Sequence, residues 1–161
     1  MNLIEEQLKS SQFFGLERAA SQIQIRSGFK ELIKSSLVGE VYILSCNWST
    51  DLIQLVCPKI KGKNIIANSL KFKDGKCSGF DRKRIILTPE DKFKEFKKIK
   101  GEKIVCGDSL PDLLPMIHAD KGFAFLSHDS DFIEVCKLLR ERFSRNIHIV
   151  SNFTDVLKLL K

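Results

Sequence analysis

No run of the 161-residue chain approaches the 18 consecutive apolar residues that a membrane-spanning helix needs, so no transmembrane segment is expected. The first residues, MNLIEEQLKSSQFF, are too acidic and too weakly apolar for a secretory leader, which points to the cytosol. No CxxC pair occurs, and the five cysteines (Cys46, Cys57, Cys77, Cys106 and Cys136) are scattered and odd in number. With His118, His128 and His148 they form no ligand pattern, which argues against a disulfide scaffold or a zinc site. Cys46, Cys57, Cys106 and Cys136 have apolar neighbours and read as small core side chains. Internal repeats and low-complexity stretches are also missing.

What remains is the composition of an ordinary globular domain, 43% hydrophobic and 29% charged, long enough for one good core. The net charge of +7 is concentrated: residues 59–103 hold 15 Lys and Arg against 6 Asp and Glu, and the rest hold 12 against 14. Such a tract is either a solvated lysine-rich face or an attractor for nucleic acid and phosphorylated molecules.

Apolar spacing predicts helices over residues 2–22 and 28–37, the second carrying Phe29, Leu32, Ile33 and Leu37 on one face. Val41 to Ser45 reads as a short buried parallel strand, followed by a helix starting near Ser49 or Thr50. Asp74-Gly75 between two strand-like runs predicts a hairpin. Thr88-Pro89-Glu90-Asp91 is a helix start, with a capping threonine, proline in the first helical position and acidic residues after it. From residue 104 onward strand and helix alternate, with strands at 104–106, 123–126 and 147–150. That alternation predicts an α/β fold with a mostly parallel sheet and helices on both of its faces.

In open α/β sheets ligands bind beyond the carboxyl ends of the strands. Three such places carry suitable chemistry. Ser45, Cys46 and Asn47 follow the first strand and offer hydroxyl and amide donors to a phosphate, or simply turn and cap the chain. Lys92, near the start of its helix, can neutralise a phosphate, or is one more lysine of a lysine-rich tract. Gly107-Asp108-Ser109 with Asp112 places two carboxylates four residues apart at a strand end, a donor set for Mg²⁺ or for helix capping.

Together and in this order, the three segments resemble the haloacid dehalogenase (HAD) superfamily. Val41 to Ser45 resembles its second motif, Lys92 its third, and Gly107-Asp108-Ser109 through Asp112 its fourth. His118-Ala119-Asp120-Lys121-Gly122 continues in the manner of that family. The hairpin Asn68 to Lys76 is similar to the phosphoserine-phosphatase-like branch. Ile43 to Ile53 resembles phosphatase domains fused to thiaminase-like domains, associated with thiamine monophosphate hydrolysis. The resemblance spans about residues 23–160. It implies a Rossmann-like core over 39–161 with a β-hairpin insertion, residues 1–38 as the helical remnant of a truncated cap region, and a small phosphomonoester as ligand. It also implies Ser45, Cys46, Asn47 and Lys92 on phosphate, Lys92 and Asp108 in catalysis, and Asp108 and Asp112 on Mg²⁺.

One part of the resemblance is missing. The family's first motif, Asp-x-Asp at the end of a strand, supplies the attacking aspartate and an acid–base partner. No Asp-x-Asp precedes Ser45. Asp129-Ser130-Asp131 has the spacing but follows the fourth motif, and with Glu134 it reads as a helix cap. The resemblance implies that the missing strand lies between those of the second and fourth motifs. Either another polypeptide segment completes the sheet there, or the two strands pair directly. The expectation is a phosphatase-derived protein that binds a small phosphorylated metabolite and Mg²⁺, and that is inactive as this chain, a pseudo-phosphatase unless the first motif comes from elsewhere. The alternative is a non-catalytic module binding RNA or a ribonucleoprotein through residues 59–103, although no RNA-binding motif accompanies that tract.

Overall fold

A computed structural model of the chain describes residues 14–46, 49–83, 85–127, 130–143 and 146–161. The chain forms two compact units, each made of two stretches of sequence. One takes Met1–Gln24 with Val41–Leu87, the other Ile25–Glu40 with Thr88–Lys161. Asn47 and Asp129 lie outside the described residues. Among the described residues no helix is long and apolar enough to cross a membrane.

The first unit holds helix α1 (Phe14–Gln22), strand β1 (Ile43–Leu44), helix α3 (Thr50–Val56), strand β2 (Ile65–Ile66) and the hairpin β3 (Leu70–Lys73) and β4 (Lys76–Phe80); α2 belongs to the other unit. β1 and β2 pair in parallel, Ile43 with Ile65 and Leu44 with Ile66. α3 begins where expected: Ser49 is its N-cap and accepts from Leu52 N–H at 3.0 Å. The β3–β4 turn is also as expected, because Asp74 (φ 51°) and Gly75 (φ 74°) both take the left-handed backbone that a two-residue hairpin loop requires. Leu70, Cys77 and Phe80, with Phe72 against them, give the hairpin a small core of its own.

The second unit holds α2 (Phe29–Leu32), α4 (Pro89–Lys98), β5 (Ile104–Gly107), α5 (Leu113–Ile117), β6 (Lys121–Phe125), α6 (Ser130–Phe143), β7 (Ile147–Val150) and α7 (Phe153–Leu160). β5, β6 and β7 form one parallel sheet in that order. Alternation along the strands sorts the core into two layers. Val105, Ala124, Ile147 and Ile149 face Met116 of α5 and Phe132, Ile133 and Cys136 of α6. Ile104, Cys106, Phe123, Phe125 and Val150 face Leu32 of α2 and Val156 of α7. Helices on both faces of a parallel sheet are thus present, as the alternation predicts. Among the described residues β5 pairs with a strand on one side only.

Two predicted helices are shorter than their patterns. The 28–37 stretch is helical only over Phe29–Leu32 and then continues as tight turns, with Ser35 N bonded to Leu32 O and Val38 N to Ser35 O. Ser35 Oγ accepts from Leu37 N at 3.2 Å, a side-chain bond that competes with continued helix. The helix between the strands at 104–106 and 123–126, which the apolar spacing of Leu110, Leu113, Leu114 and Ile117 predicts, opens as a single 3₁₀ turn, Leu110–Asp112, before α5, and Pro111 and Pro115 restrict its backbone bonding. Cys136 and Cys77 are buried, whereas Cys46, Cys57 and Cys106 are only half-buried, and all five thiols are free.

Candidate functional site

Lys92 is presented by the first turn of α4. That turn is fixed by a reciprocal cap: Asp91 N donates to Thr88 Oγ1 at 3.2 Å, and Thr88 N to Asp91 Oδ2 at 3.3 Å. The lysine side chain points inward and is 10% exposed, as is that of Asp112. Its Nζ donates to Asp112 Oδ1 at 2.5 Å, a buried ion pair across 20 residues of sequence.

The other oxygen of Asp112 organises the loop that follows β5. Oδ2 accepts from Asp108 N at 3.1 Å, Ser109 N at 3.2 Å and Ser109 Oγ at 3.0 Å. Three donors on one oxygen and an ammonium on the other hold the carboxylate in place. Gly107 is required by the same folding-back: a Cβ there would stand 2.3 Å from Asp112 Cβ and 2.4 Å from its Cγ. Sequence reasoning gave both loop carboxylates to a metal. The structure brings Lys92 and Asp112 together and places Asp108 differently.

Asp108 faces outward, 52% exposed, with Oδ2 3.2 Å from Arg26 Nη2. The Arg26 guanidinium also lies over the ring of Phe125, 5.0 Å from its centroid. Arg26 was missed by sequence reasoning. Its two partners are 82 and 99 residues away, a separation that no local pattern encodes.

Cys106, just before the loop, is not an available nucleophile. Burial pushes its thiol up to about 12, with the Asp112 charge adding to the effect, so at neutral pH it is protonated.

Ser45 and Cys46 belong to the first unit and follow β1. Ser45 N donates to Ile66 O at 3.0 Å, and Asn68 Nδ2 donates to Cys46 O at 3.3 Å. Buried Asn68 also donates to Ile86 O at 2.9 Å and accepts from Ile86 N at 2.7 Å. Thr50 N bonds Asn68 O at 2.8 Å, and Thr50 Oγ1 lies 2.9 Å from Ser69 Oγ. Asn68 thus joins three segments at the carboxyl end of β1 and β2, a structural role that the sequence did not signal.

Mg²⁺ takes oxygen ligands and is commonly held by one or two carboxylates, with water and substrate phosphate completing its shell. Among the described residues no three His, Cys, Asp or Glu side chains assemble into a metal site. Asp108, exposed at a strand end, has the right chemistry for one carboxylate ligand. Asp112 has donors on both of its oxygens. The residues present therefore fit an ion held by one carboxylate, and Asp112 supports that carboxylate's loop.

No protein-family model and no curated protein matches the chain. Solved structures do. The chain is similar to a phosphoserine phosphohydrolase-like protein from Francisella tularensis subsp. tularensis SCHU S4, with a TM-score of 0.68 and 20% identity over 93% of this chain and 71% of that one. It also matches cytosolic 5'-nucleotidase IIIB bound to cytidine, with a TM-score of 0.47 and 16% identity over 90% of this chain and 53% of that one. The first likeness, together with the parallel strands and flanking helices, shows the fold: a Rossmann-like α/β fold shared with that phosphohydrolase-like protein.

Proposed function

We propose that the chain is a phosphatase-derived protein that binds a small phosphorylated metabolite together with Mg²⁺ at the carboxyl end of β5. One observation carries this reading: a lysine and a carboxylate are buried as a pair beneath a Gly-Asp-Ser loop at the ligand-binding end of a parallel sheet. A buried ion pair is a poor device for stability alone, since apolar residues of similar volume serve as well or better. Its position at this end of the sheet supports a functional role.

In this reading Asp108 holds the Mg²⁺, which on binding adds positive charge beside the phosphate. Asp112 holds Lys92 and the loop in register, and Lys92 supplies charge to a phosphate at the loop. Ser45 and Cys46, at the end of β1 in the first unit, are proposed as phosphate donors on the resemblance alone, as is Asn47, and residues 1–38 descend from a cap region. The fold likeness supports phosphatase ancestry. The substrate class is a small phosphomonoester, and thiamine monophosphate belongs in the first panel because Ile43 to Ile53 carries that resemblance.

The family route to hydrolysis needs an aspartate that attacks phosphorus, and no Asp-x-Asp occurs before Ser45. We place that aspartate on another segment, one that adds a strand along β5. Support comes from β5 itself, an apolar Ile-Val-Cys-Gly strand that pairs only with β6 among the described residues. The pure chain is therefore expected to bind phosphate and not to turn it over.

Titrating inorganic phosphate into the chain with and without MgCl₂, alongside hydrolysis of p-nitrophenyl phosphate, tests the reading. The expected result is Mg²⁺-dependent phosphate binding that Asp108→Asn abolishes, without hydrolysis. Hydrolysis by the pure chain that is lost in Asp108→Ala would overturn the inactive assignment. Absence of phosphate binding at millimolar concentrations would overturn the site.

A further inference from the structure

Arg26 lies in the stretch leading into α2, and three contacts fix that stretch against the end of the β5–β7 sheet. Phe153 N donates to Ser27 O at 2.9 Å, just beyond β7. Gly28, at φ +83°, passes so close to Thr154 that a Cβ would stand 2.3 Å from the Thr154 nitrogen. The rings of Phe29 and Phe153 pack at 5.1 Å. The backbone that carries Arg26 is thus anchored across the carboxyl edge, where ligands of α/β sheets bind.

The guanidinium is placed as firmly as its backbone. It lies over Phe125, the last residue of β6, and reaches Asp108, just past β5. An arginine carries five N–H donors in a planar fork. Among the described residues this one makes a single hydrogen bond, and its side chain is 37% exposed. An exposed ion pair of this kind contributes little to stability, so the fold does not depend on the contact between this guanidinium and Asp108.

We propose that Arg26 is a phosphate-binding residue, an inference that rests on the phosphate site proposed above. The charge count supports it. Arg26 and Lys92 together balance Asp108 and Asp112, so these four side chains offer a phosphate dianion no net attraction. With a divalent cation bound, Asp108 would no longer need Arg26 as its counter-charge. The guanidinium, stacked on Phe125, would then have its fork for phosphate oxygens, which it matches better than an ammonium can. Arg26 thus serves as counter-ion to Asp108 in the empty site and as phosphate ligand in the filled one.

The test is the affinity of inorganic phosphate, at saturating MgCl₂, for wild-type, Arg26→Lys, Arg26→Ala and Asp108→Asn chains, with a thermal melt of each. Arg26→Ala is expected to weaken phosphate binding by about tenfold or more, and Arg26→Lys by less, because it keeps the charge and loses the fork. Melting temperatures of both Arg26 variants should stay within about 2 °C of wild type. A second readout is Mg²⁺ affinity without phosphate, which should rise in Arg26→Ala because a competing cation has gone. Wild-type phosphate affinity in Arg26→Ala, with binding lost in Asp108→Asn, would overturn this inference and leave the site standing. Equal losses in both Arg26 variants with a large fall in melting temperature would overturn it in favour of a structural role. No phosphate binding by wild type would overturn both.

Discussion

Replacing Lys92 by methionine keeps the apolar stem of the side chain and removes its charge from beneath the loop. The pair is 10% exposed on each side, which puts it in the class where removing one partner costs about 3–5 kcal/mol. Asp112 would keep three donors on Oδ2, so its charge stays partly compensated and the lower end applies, about 3 kcal/mol. Asp112→Asn should cost more, about 4–5 kcal/mol. The amide has one oxygen, and turning it toward the loop donors leaves its NH₂ facing the Lys92 ammonium, donor against donor. In Lys92→Met/Asp112→Asn the clash of donors disappears, so the double variant should be more stable than the sum of the singles by about 2–3 kcal/mol. Urea denaturation of the four proteins, with the slope of stability against denaturant held constant, gives the coupling directly. A coupling below about 0.5 kcal/mol would place the pair with exposed ion pairs and refute its role in holding the loop.

The Gly107 contact supplies a second test: Gly107→Ala forces a methyl to within 2.3 Å of Asp112 Cβ and should cost about 1–3 kcal/mol in urea denaturation. Cys106 keeps its proton up to about pH 12 when folded, against 9.0 for a free thiol, so its contribution is complete below pH 9 and fades as pH rises toward 12. The urea midpoint should therefore fall across that window, and by less in Cys106→Ala. Native-state hydrogen exchange should find alternate amides of β5 exchanging faster than those of β6, which pairs on both sides. Uniform protection of all four β5 amides would show that the edge unpaired among the described residues is already covered.

Elements set by local chemistry were legible in the sequence. Thr88-Pro89 starts α4, Asp74-Gly75 turns the hairpin, and the apolar spacing of Val156, Leu157 and Leu160 marks α7. Gly107-Asp108-Ser109 was recognisable as a strand-end loop because apolar residues run straight into it. Lengths were less legible where side chains competed for the backbone, as Ser35 does after α2 and the prolines do before α5. Partners at long range were not legible at all. Asp112 meeting Lys92, Asp108 meeting Arg26, and Asn68 bridging Cys46 and Ile86 depend on how the chain returns on itself, and no residue spacing records that.

The two loop carboxylates show how burial separates residues that look equivalent in sequence. Asp108 and Asp112 are spaced as a pair of metal ligands would be, yet their surroundings oppose that symmetry. Asp112 could turn to a cation only by releasing the Lys92 ammonium or the loop amides, and each release leaves a poorly exposed charge or donor without its partner. Asp108 gives up only a half-exposed contact with an arginine that keeps an aromatic ring to rest on. Exchange of partners at Asp108 is therefore the cheaper event by a wide margin. A cation arriving at this loop should meet one adaptable carboxylate backed by one fixed carboxylate that keeps its bond to Lys92.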